Sequence, residues 1–139
     1  MSVVTRQISL QTNGETDMID ITDQAVEALD AAGLRNGVVT IFVSGATAAI
    51  TTIEYEPGLL KDFPDMLERV APKTIEYKHG RKWHDENGHS HVRASLLGPS
   101  LTIPFSNGKL FLGTWQQIVF VELDVHRRSR KLVLQIVGE

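Results

Sequence analysis

The sequence predicts a single α+β domain over residues 1–139, with a mainly antiparallel sheet and two main helices on one face. Strand-like segments rich in β-branched residues outnumber helical segments, which favours a sheet protein. Asn-Gly pairs at residues 13–14 and 107–108 are typical of hairpin turns between antiparallel strands. The order of segments does not alternate as in a parallel βαβ fold, so we expect strands that pair locally.

The first half predicts four strands and two helices. Strands are expected at residues 3–11, 18–21, 37–43 and 48–55, the first two joined as a hairpin. A helix is expected at 22–32, where Val26 and Leu29 share one face and Gly33 provides a stop. Apolar residues recur at helical spacing over 59–70, which predicts a second helix ending before Pro72.

The second half predicts a long loop followed by a short helix and strands. Residues 73–88 are polar and show no sustained period, so we interpret them as a loop. A helix is expected at 89–97. Two further hairpins are predicted, 100–105 with 109–113 and 117–125 with 131–137.

Composition excludes several classes of protein. The chain has no cysteine, so a metal site would have to use His, Asp or Glu. A net charge of −3 argues against a general nucleic-acid binder, whose affinity depends on excess Lys and Arg. No apolar run approaches the ~18 residues that span a bilayer, and no signal peptide is evident. We therefore expect a cytoplasmic protein without a nucleic-acid or membrane partner.

Histidines are concentrated in one segment, since four of the five lie between residues 79 and 91. His79, His89 and His91 are candidate ligands of a divalent ion, with zinc expected first and magnesium as an alternative. His89 and His91 converge if the backbone there is extended, but they diverge at a helix start. The alternative interpretation is a solvated loop in which histidine is a general polar residue.

Two other segments carry candidates for catalysis and for binding a ring. Asp85 lies in the histidine segment, where a carboxylate can orient an imidazole or act as a base. Trp115 can stack on a planar heterocycle, with Thr114 and Gln116 beside it, and Gln116 can present its amide to the ring. The alternative for Trp115 is a place in the core or in a subunit interface.

The most basic run, residues 126–131, suggests a phosphate-binding element. Arg127 or Arg128 can bind phosphate through two parallel hydrogen bonds. The small residues between Ser44 and Thr47 can offer backbone N–H groups to an anion. The alternatives are a solvated hairpin turn and a segment kept small for packing.

The second half also contains sequence words typical of one family. These are His-Ser-His-Val-Arg-Ala-Ser-Leu-Leu-Gly-Pro-Ser at 89–100, Thr-Ile-Pro-Phe at 102–105 and Gly-Lys-Leu-Phe-Leu-Gly-Thr-Trp-Gln-Gln at 108–117. In these words the chain resembles the YjbQ family. The resemblance is specific from Tyr77 onward and looser before it.

The resemblance implies an α+β subunit with a half-barrel-like sheet, which assembles as a homotrimer. It implies a metal ion at the histidine cluster and the activity of a secondary thiamine-phosphate synthase. That transferase joins a pyrimidine-methyl pyrophosphate to a thiazole phosphate. The alternative is a non-catalytic trimeric module that binds a metal or a metabolite.

One departure from the family bears on the site. The family usually has His-Thr-Ser-Ala or His-Thr-Thr-Ala after the first core strand, where this chain has Ser-Gly-Ala-Thr at 44–47. The family histidine is thus replaced by Ser44 or Gly45. The family carboxylate that follows aligns with Glu54, which the resemblance makes a candidate catalytic residue.

Overall fold

The computed structural model describes residues 1–84 and 86–139, with all of their side chains except those of Lys82 and Trp83. Strands β1 to β8 are, in order, Ser2–Gln11, Met18–Asp20, Gly37–Val43, Ala48–Ile53, Ser100–Ser106, Lys109–Leu110, Gln117–Glu122 and Ser129–Gly138. Helices α1 to α4 are Thr22–Ala32, Leu59–Val70, Lys78–Trp83 and Gly88–Leu97. No helix in the described ranges is long and apolar enough to cross a membrane.

The strands form two antiparallel sheets, one of five strands in the order β1-β8-β3-β5-β6 and one of three in the order β2-β7-β4. The main core contains residues of both sheets, among them Ile41 and Leu134 from the first and Ile50 and Phe120 from the second. Helix α1 joins this core through Ala25 and Leu29. The predicted α+β fold with an antiparallel half-barrel-like sheet is therefore confirmed.

Two of the three predicted hairpins are wrong. Strands β1 and β2 lie in different sheets, and so do β7 and β8. β7 is buried along nearly its whole length, which suits the centre of the small sheet, whereas β8 alternates and lies between β1 and β3. The hairpin at Asn107-Gly108 is confirmed, since both residues have positive φ, as a tight hairpin turn requires.

The segment predicted as a loop contains a helix. Helix α3 lies within residues 73–88 and carries His79. Gly80 and the polar residues around it lack an apolar period, so no pattern indicated this helix. The short helix predicted at residues 89–97 is confirmed as α4.

Candidate functional site

The start of α4 separates the histidines that the sequence predicted to converge. His89 and His91 lie two residues apart on the helix, so their side chains point in different directions. The Nε2 atom of His89 lies 3.2 Å from Oε1 of Glu15. The ring of His91 packs instead against His79 on α3, with centroids 4.5 Å apart. The structure thus brings together His79 and His91 and places His89 elsewhere.

The His79–His91 pair is the best placed of the predicted metal ligands. Two adjacent imidazoles provide two nitrogen ligands, fewer than the three protein ligands usual at catalytic zinc. Within residues 1–84 and 86–139 no three His, Asp or Glu side chains are grouped to hold a metal ion. Asp85, the predicted orienting carboxylate or base, lies outside the described residues.

Arg93 is a buried cation on the face of α4 that also carries His89. Arg93 is only 2% exposed. The Nε–H donates to the carbonyl oxygen of Ala71 at 3.0 Å, and Nη2 donates to Glu68 at 2.8 Å. Nη1 lies 3.5 Å from the same Glu15 carboxylate that His89 contacts. Arg93 therefore ties α4 to α2 and to the loop after β1.

Two groups around this cluster have shifted pKa values. The backbone N–H of Lys73 and the guanidinium of Arg93 hold the pKa of Glu68 below its ordinary value. Burial raises the pKa of Tyr77, whose hydroxyl donates to the carbonyl of Pro72 at 2.7 Å. Glu68 is therefore a carboxylate at neutral pH, and Tyr77 is a neutral hydrogen-bond donor.

A cavity of about 680 Å³ opens beside these residues. Tyr77 and His89 provide aromatic walls, with ring centroids 6.2 Å apart. Lys73 and Arg81 provide cations at its surface, and Arg81 is paired with Glu76. The volume and the mixed lining are typical of a small-molecule site.

Several residues of this site were not found from the sequence. Glu15 is 74 residues from His89 along the chain, and no spacing rule links the two. Arg93 was visible inside the family-like word, but its burial was not. Lys73 and Tyr77 lie in the segment interpreted as a polar loop, although an aromatic residue there was a usable signal.

The predicted ring-binding residues lie at one end of the ladder between β4 and β7. Trp115 is 70% exposed, and Thr114 and Glu54 are exposed as well. The Nε2 of Gln116 donates to Oγ1 of Thr52 at 3.1 Å, which holds this loop against β4. None of these side chains lines the cavity beside Tyr77.

The predicted phosphate-binding residues lie at the other end of that ladder. Arg128 binds Asp124 through Nε at 2.9 Å and Nη2 at 2.6 Å, so its guanidinium is already engaged. Thr47 is buried and donates to Asp124 at 3.1 Å. Ser44 and Arg127 are exposed.

A buried carboxylate organises the basic run. Glu122 is fully buried and accepts from Arg130 at both oxygens, at 2.8 Å from Nε and 2.5 Å from Nη2. The hydroxyl of Thr12 also donates to Glu122 at 2.8 Å. We name the residues Thr12, Thr47, Glu122, Asp124, Arg128 and Arg130 the arginine network.

Asp124 is ionised within the arginine network. Its burial alone would raise the pKa, but hydrogen bonds and the charge of Arg128, together with the Thr47 hydroxyl, bring the pKa below the ordinary value. Asp124 therefore holds Arg128 as an ion pair throughout the neutral range. The interpretation of this run as a solvated turn fits Arg127 but not Arg128 or Arg130.

The two ends of the ladder are far apart within one chain. Gln117 pairs with Ile53 at one end, and Glu122 pairs with Ala48 at the other. Five residue steps along a strand span about 17 Å. The cavity beside Tyr77 also contacts Val125, so it lies toward the arginine end. Trp115 and Arg128 therefore do not face one site in a single chain.

Comparison with known proteins identifies the family. The model of the family described as UPF0047 protein YjbQ-like matches residues 6–139. The chain belongs to the YjbQ family. A UPF0047 protein of Methanothermobacter thermautotrophicus is 40% identical over 139 residues, which cover all of this chain and 95% of that protein.

Solved structures of YjbQ proteins share the fold. A protein of Sulfolobus solfataricus, described as YbjQ-like and of unknown function, matches with a TM-score of 0.95 at 36% identity and covers 99% of both chains. An uncharacterized conserved protein of the YjbQ/UPF0047 family from Clostridium acetobutylicum matches with a TM-score of 0.87 at 39% identity, covering 95% of this chain and 99% of that one. These names state a family and no reaction.

Proposed function

We propose that this YjbQ protein binds a phosphorylated heterocycle with the help of a divalent metal ion, in the manner of a thiamine-phosphate synthase. The observation that carries the proposal is the cavity of about 680 Å³ lined by Tyr77 and His89, with Lys73 and Arg81 as well as Glu76 and Glu86 in its lining. Gly80 of this lining follows His79, which packs against His91. A flat ring can stack on the exposed side of one of these aromatic residues, and a phosphate group can bind Lys73 or Arg81 in place of their partners Glu15 and Glu76.

His79 and His91 would hold the metal. Two imidazoles on adjacent helices fit zinc, and further ligands would come from water, from the substrate or from another subunit. A bound divalent ion would offset the charge of a pyrophosphate leaving group. His89 is held by Glu15, and Glu15 by Arg93, so the wall of the cavity is fixed before a ligand enters.

Assembly as a homotrimer is part of the proposal. Trp115 and Arg128 lie at opposite ends of the β4–β7 ladder within one chain, and a second chain can bring such residues to one site. The outer face of the five-stranded sheet supports it, with three cross-strand rows that contain no charged residue. The rows are Val3-Val137-Val38-Pro104, Thr5-Gln135-Thr40-Thr102 and Gln7-Val133-Phe42-Ser100. Uncharged rows with exposed apolar side chains such as Val38 and Phe42 are typical of a protein interface, and Lys131 and Lys109 lie beside them on the same face.

Light scattering tests the assembly. The wild type is expected to give a trimer mass at micromolar concentration, and Thr40→Glu is expected to lower that mass because it buries a charge in the interface. Lys109→Glu, at the edge of the same sheet, is the control and should remain a trimer. A monomer mass for the wild type would refute the assembly.

Product formation tests the chemistry. Metal-loaded wild type is mixed with the pyrimidine-methyl pyrophosphate and the thiazole phosphate, and thiamine phosphate is quantified. We expect slow turnover that falls at least tenfold in His91→Ala and is unchanged in His126→Ala, whose histidine is exposed in the β7–β8 turn. Turnover that is equal in wild type and His91→Ala would contradict the proposed site.

The alternative is a trimeric module that binds metal or metabolite without turnover, and the absent family histidine near Ser44 favours it. Ser44→His restores an imidazole at an exposed position. Gly45→His is less suitable, because a Cβ at Gly45 would lie 2.8 Å from Nη1 of Arg130. No product above a no-enzyme control in wild type and Ser44→His, with metal bound, would leave the binding module as the function.

A further inference from the structure

A cavity of about 650 Å³ lies between helix α1 and strand β6, at one edge of the five-stranded sheet. Residues of α1 and its C-cap line one wall at the i, i+3, i+4 and i+7 spacing of a single helical face: Val26, Leu29, Asp30 and Gly33. Leu110 pairs with the buried Phe105, so Leu110 and Leu112, two residues later, lie on the core side of the sheet and form the opposite wall. Among the described residues, this cavity and the one beside Tyr77 have no lining residue in common.

The body of this cavity is aliphatic. Leu29 is almost fully buried, and Leu34, Leu110 and Leu112 are half-buried and pack against the main core. The helical wall, from Val26 to the C-cap seven residues later, extends for about 10 Å. A cavity of this volume, with an aliphatic lining and a few polar groups, is typical of a small-molecule site.

Arg35 is fixed at one end of the cavity by the turn between β5 and β6. Its backbone N–H donates to a backbone oxygen of Glu139 at 2.7 Å, and its carbonyl oxygen accepts from the N–H of Gly108 at 2.9 Å. Its Nη2 donates to Oδ1 of Asn107, which also lines the cavity, at 3.4 Å. The backbone position of Arg35 is therefore set before a ligand enters, which lowers the entropy cost of binding.

Asp30 and Arg35 bring one charge of each sign to the cavity. In the described part of the chain neither side chain forms an ion pair. Asp30 lies in the last turn of α1, where the helix dipole adds partial negative charge. Lys109 also lines the cavity, but it pairs with Ser106 and so lies on the outer face of the sheet, opposite to Leu110. The cavity thus offers one carboxylate and one guanidinium beside an aliphatic body.

We propose that this cavity binds an amino acid with a large aliphatic side chain. The guanidinium of Arg35 donates to the α-carboxylate, and the carboxylate of Asp30 accepts from the α-ammonium group. The ligand side chain packs among Leu29, Leu110 and Leu112, which removes aliphatic surface from water on both sides. A ligand with a single charge leaves Asp30 or Arg35 without a partner, so these two groups favour a zwitterion over a fatty acid or an alkylamine.

Calorimetry with four probes tests what each part of the cavity binds. The probes are leucine, leucinamide, which lacks the carboxylate, 4-methylpentanoate, which lacks the ammonium group, and glycine, which lacks the side chain. The wild type is expected to bind leucine saturably at one site per chain. Each of the other three should bind about tenfold more weakly or worse, because it lacks one charge-assisted hydrogen bond or the buried side chain.

Two variants assign the charges. Arg35→Gln should bind leucine about tenfold more weakly and leucinamide as the wild type does. Asp30→Asn should weaken leucine binding by a similar factor and leave 4-methylpentanoate binding no weaker than in the wild type. The matched controls are Arg6→Gln and Glu27→Gln, at exposed positions outside the cavity, and both should bind leucine as the wild type does.

Further variants test the aliphatic body and the independence of the site. Val26→Glu places a charge beside the aliphatic body and should weaken leucine binding at least tenfold, whereas Ala31→Glu, at an exposed position of the same helix, should not. Thermal unfolding of these variants should match the wild type, which shows that weaker binding is not loss of fold. His91→Ala should bind leucine with wild-type affinity even if it loses metal. No saturable leucine binding by the wild type, undiminished binding by Arg35→Gln or Asp30→Asn, or loss of binding in His91→Ala would each overturn the proposal.

Discussion

The cluster around Arg93 and the arginine network are both buried ionic groups, but they differ in how completely they are closed. In the arginine network both carboxylates, Glu122 and Asp124, are almost fully buried. Around Arg93 the acceptor Glu68 has a side chain that is 41% exposed, and Glu15 faces His89. A closed network fixes a turn, whereas a half-open one beside a cavity leaves side chains available to a ligand.

The largest effect is expected when the closed network is opened. Glu122→Gln should lower the free energy of unfolding by about 3 kcal/mol, because it leaves the charge of Arg130 buried without its partner. Urea unfolding measures the loss. The double variant Glu122→Gln with Arg130→Met should recover part of it, and a loss below about 1 kcal/mol in the single variant would show that water compensates this ion pair.

A smaller loss of stability is expected in the cluster around Arg93. Arg93→Met keeps the apolar stem but removes the donor to the carbonyl of Ala71 and to the carboxylate of Glu68. We expect a loss of about 2 kcal/mol in the same unfolding assay. Arg81→Met, with an exposed side chain, is the control. A loss in Arg93→Met larger than that in Glu122→Gln would reverse the comparison.

The low pKa of Asp124 predicts a pH dependence. A carboxyl whose pKa is lowered in the folded state stabilises that state above its unfolded pKa of about 3.9, and loses this as pH falls through the lower folded value. Asp124→Asn should therefore be less stable than wild type at pH 7, and the gap should close in acid below pH 4. Asp65→Asn, on the exposed side of α2, should show no such gap. A gap that is constant with pH would contradict the assignment.

The smallest effect is expected for the exposed ion pair of Arg81 and Glu76. Both side chains are more than 60% exposed, so water screens their attraction. Glu76→Gln should change the free energy of unfolding by less than about 0.5 kcal/mol. A larger change would mean that this pair supports α3 and the cavity wall.

The sequence predicted which segments form strands more successfully than which strands pair. Alternation in β8 and the apolar run in β7 identify both strands, but the short turn between them does not show that each belongs to a different sheet. Which sheet each strand joins depends on which strand faces pack together in the core, where Phe120 of β7 and Leu134 of β8 lie. Local turn chemistry carries no information about it, except at the true hairpin of Asn107-Gly108.

The density of histidines indicated which segment forms the candidate site. It did not indicate which histidines lie beside each other. The position of His79 and His91 beside each other depends on two helices, of which one had no apolar period. The contact of His89 with Glu15 joins distant segments, and the inward direction of Arg130 depends on a buried glutamate. Composition suggested candidate residue types, and only the packing of the helices and sheets decides which of them meet.

Elemental analysis of untagged protein after zinc loading and dialysis tests the central claim most directly. We predict about one zinc ion per chain in the wild type and in His126→Ala, and a loss of most of that metal in His79→Ala and in His91→Ala. Metal content far below one per chain in the wild type, unchanged by His91→Ala, would contradict a metal site at the His79–His91 pair and, with it, the metal-assisted function proposed for the cavity beside it.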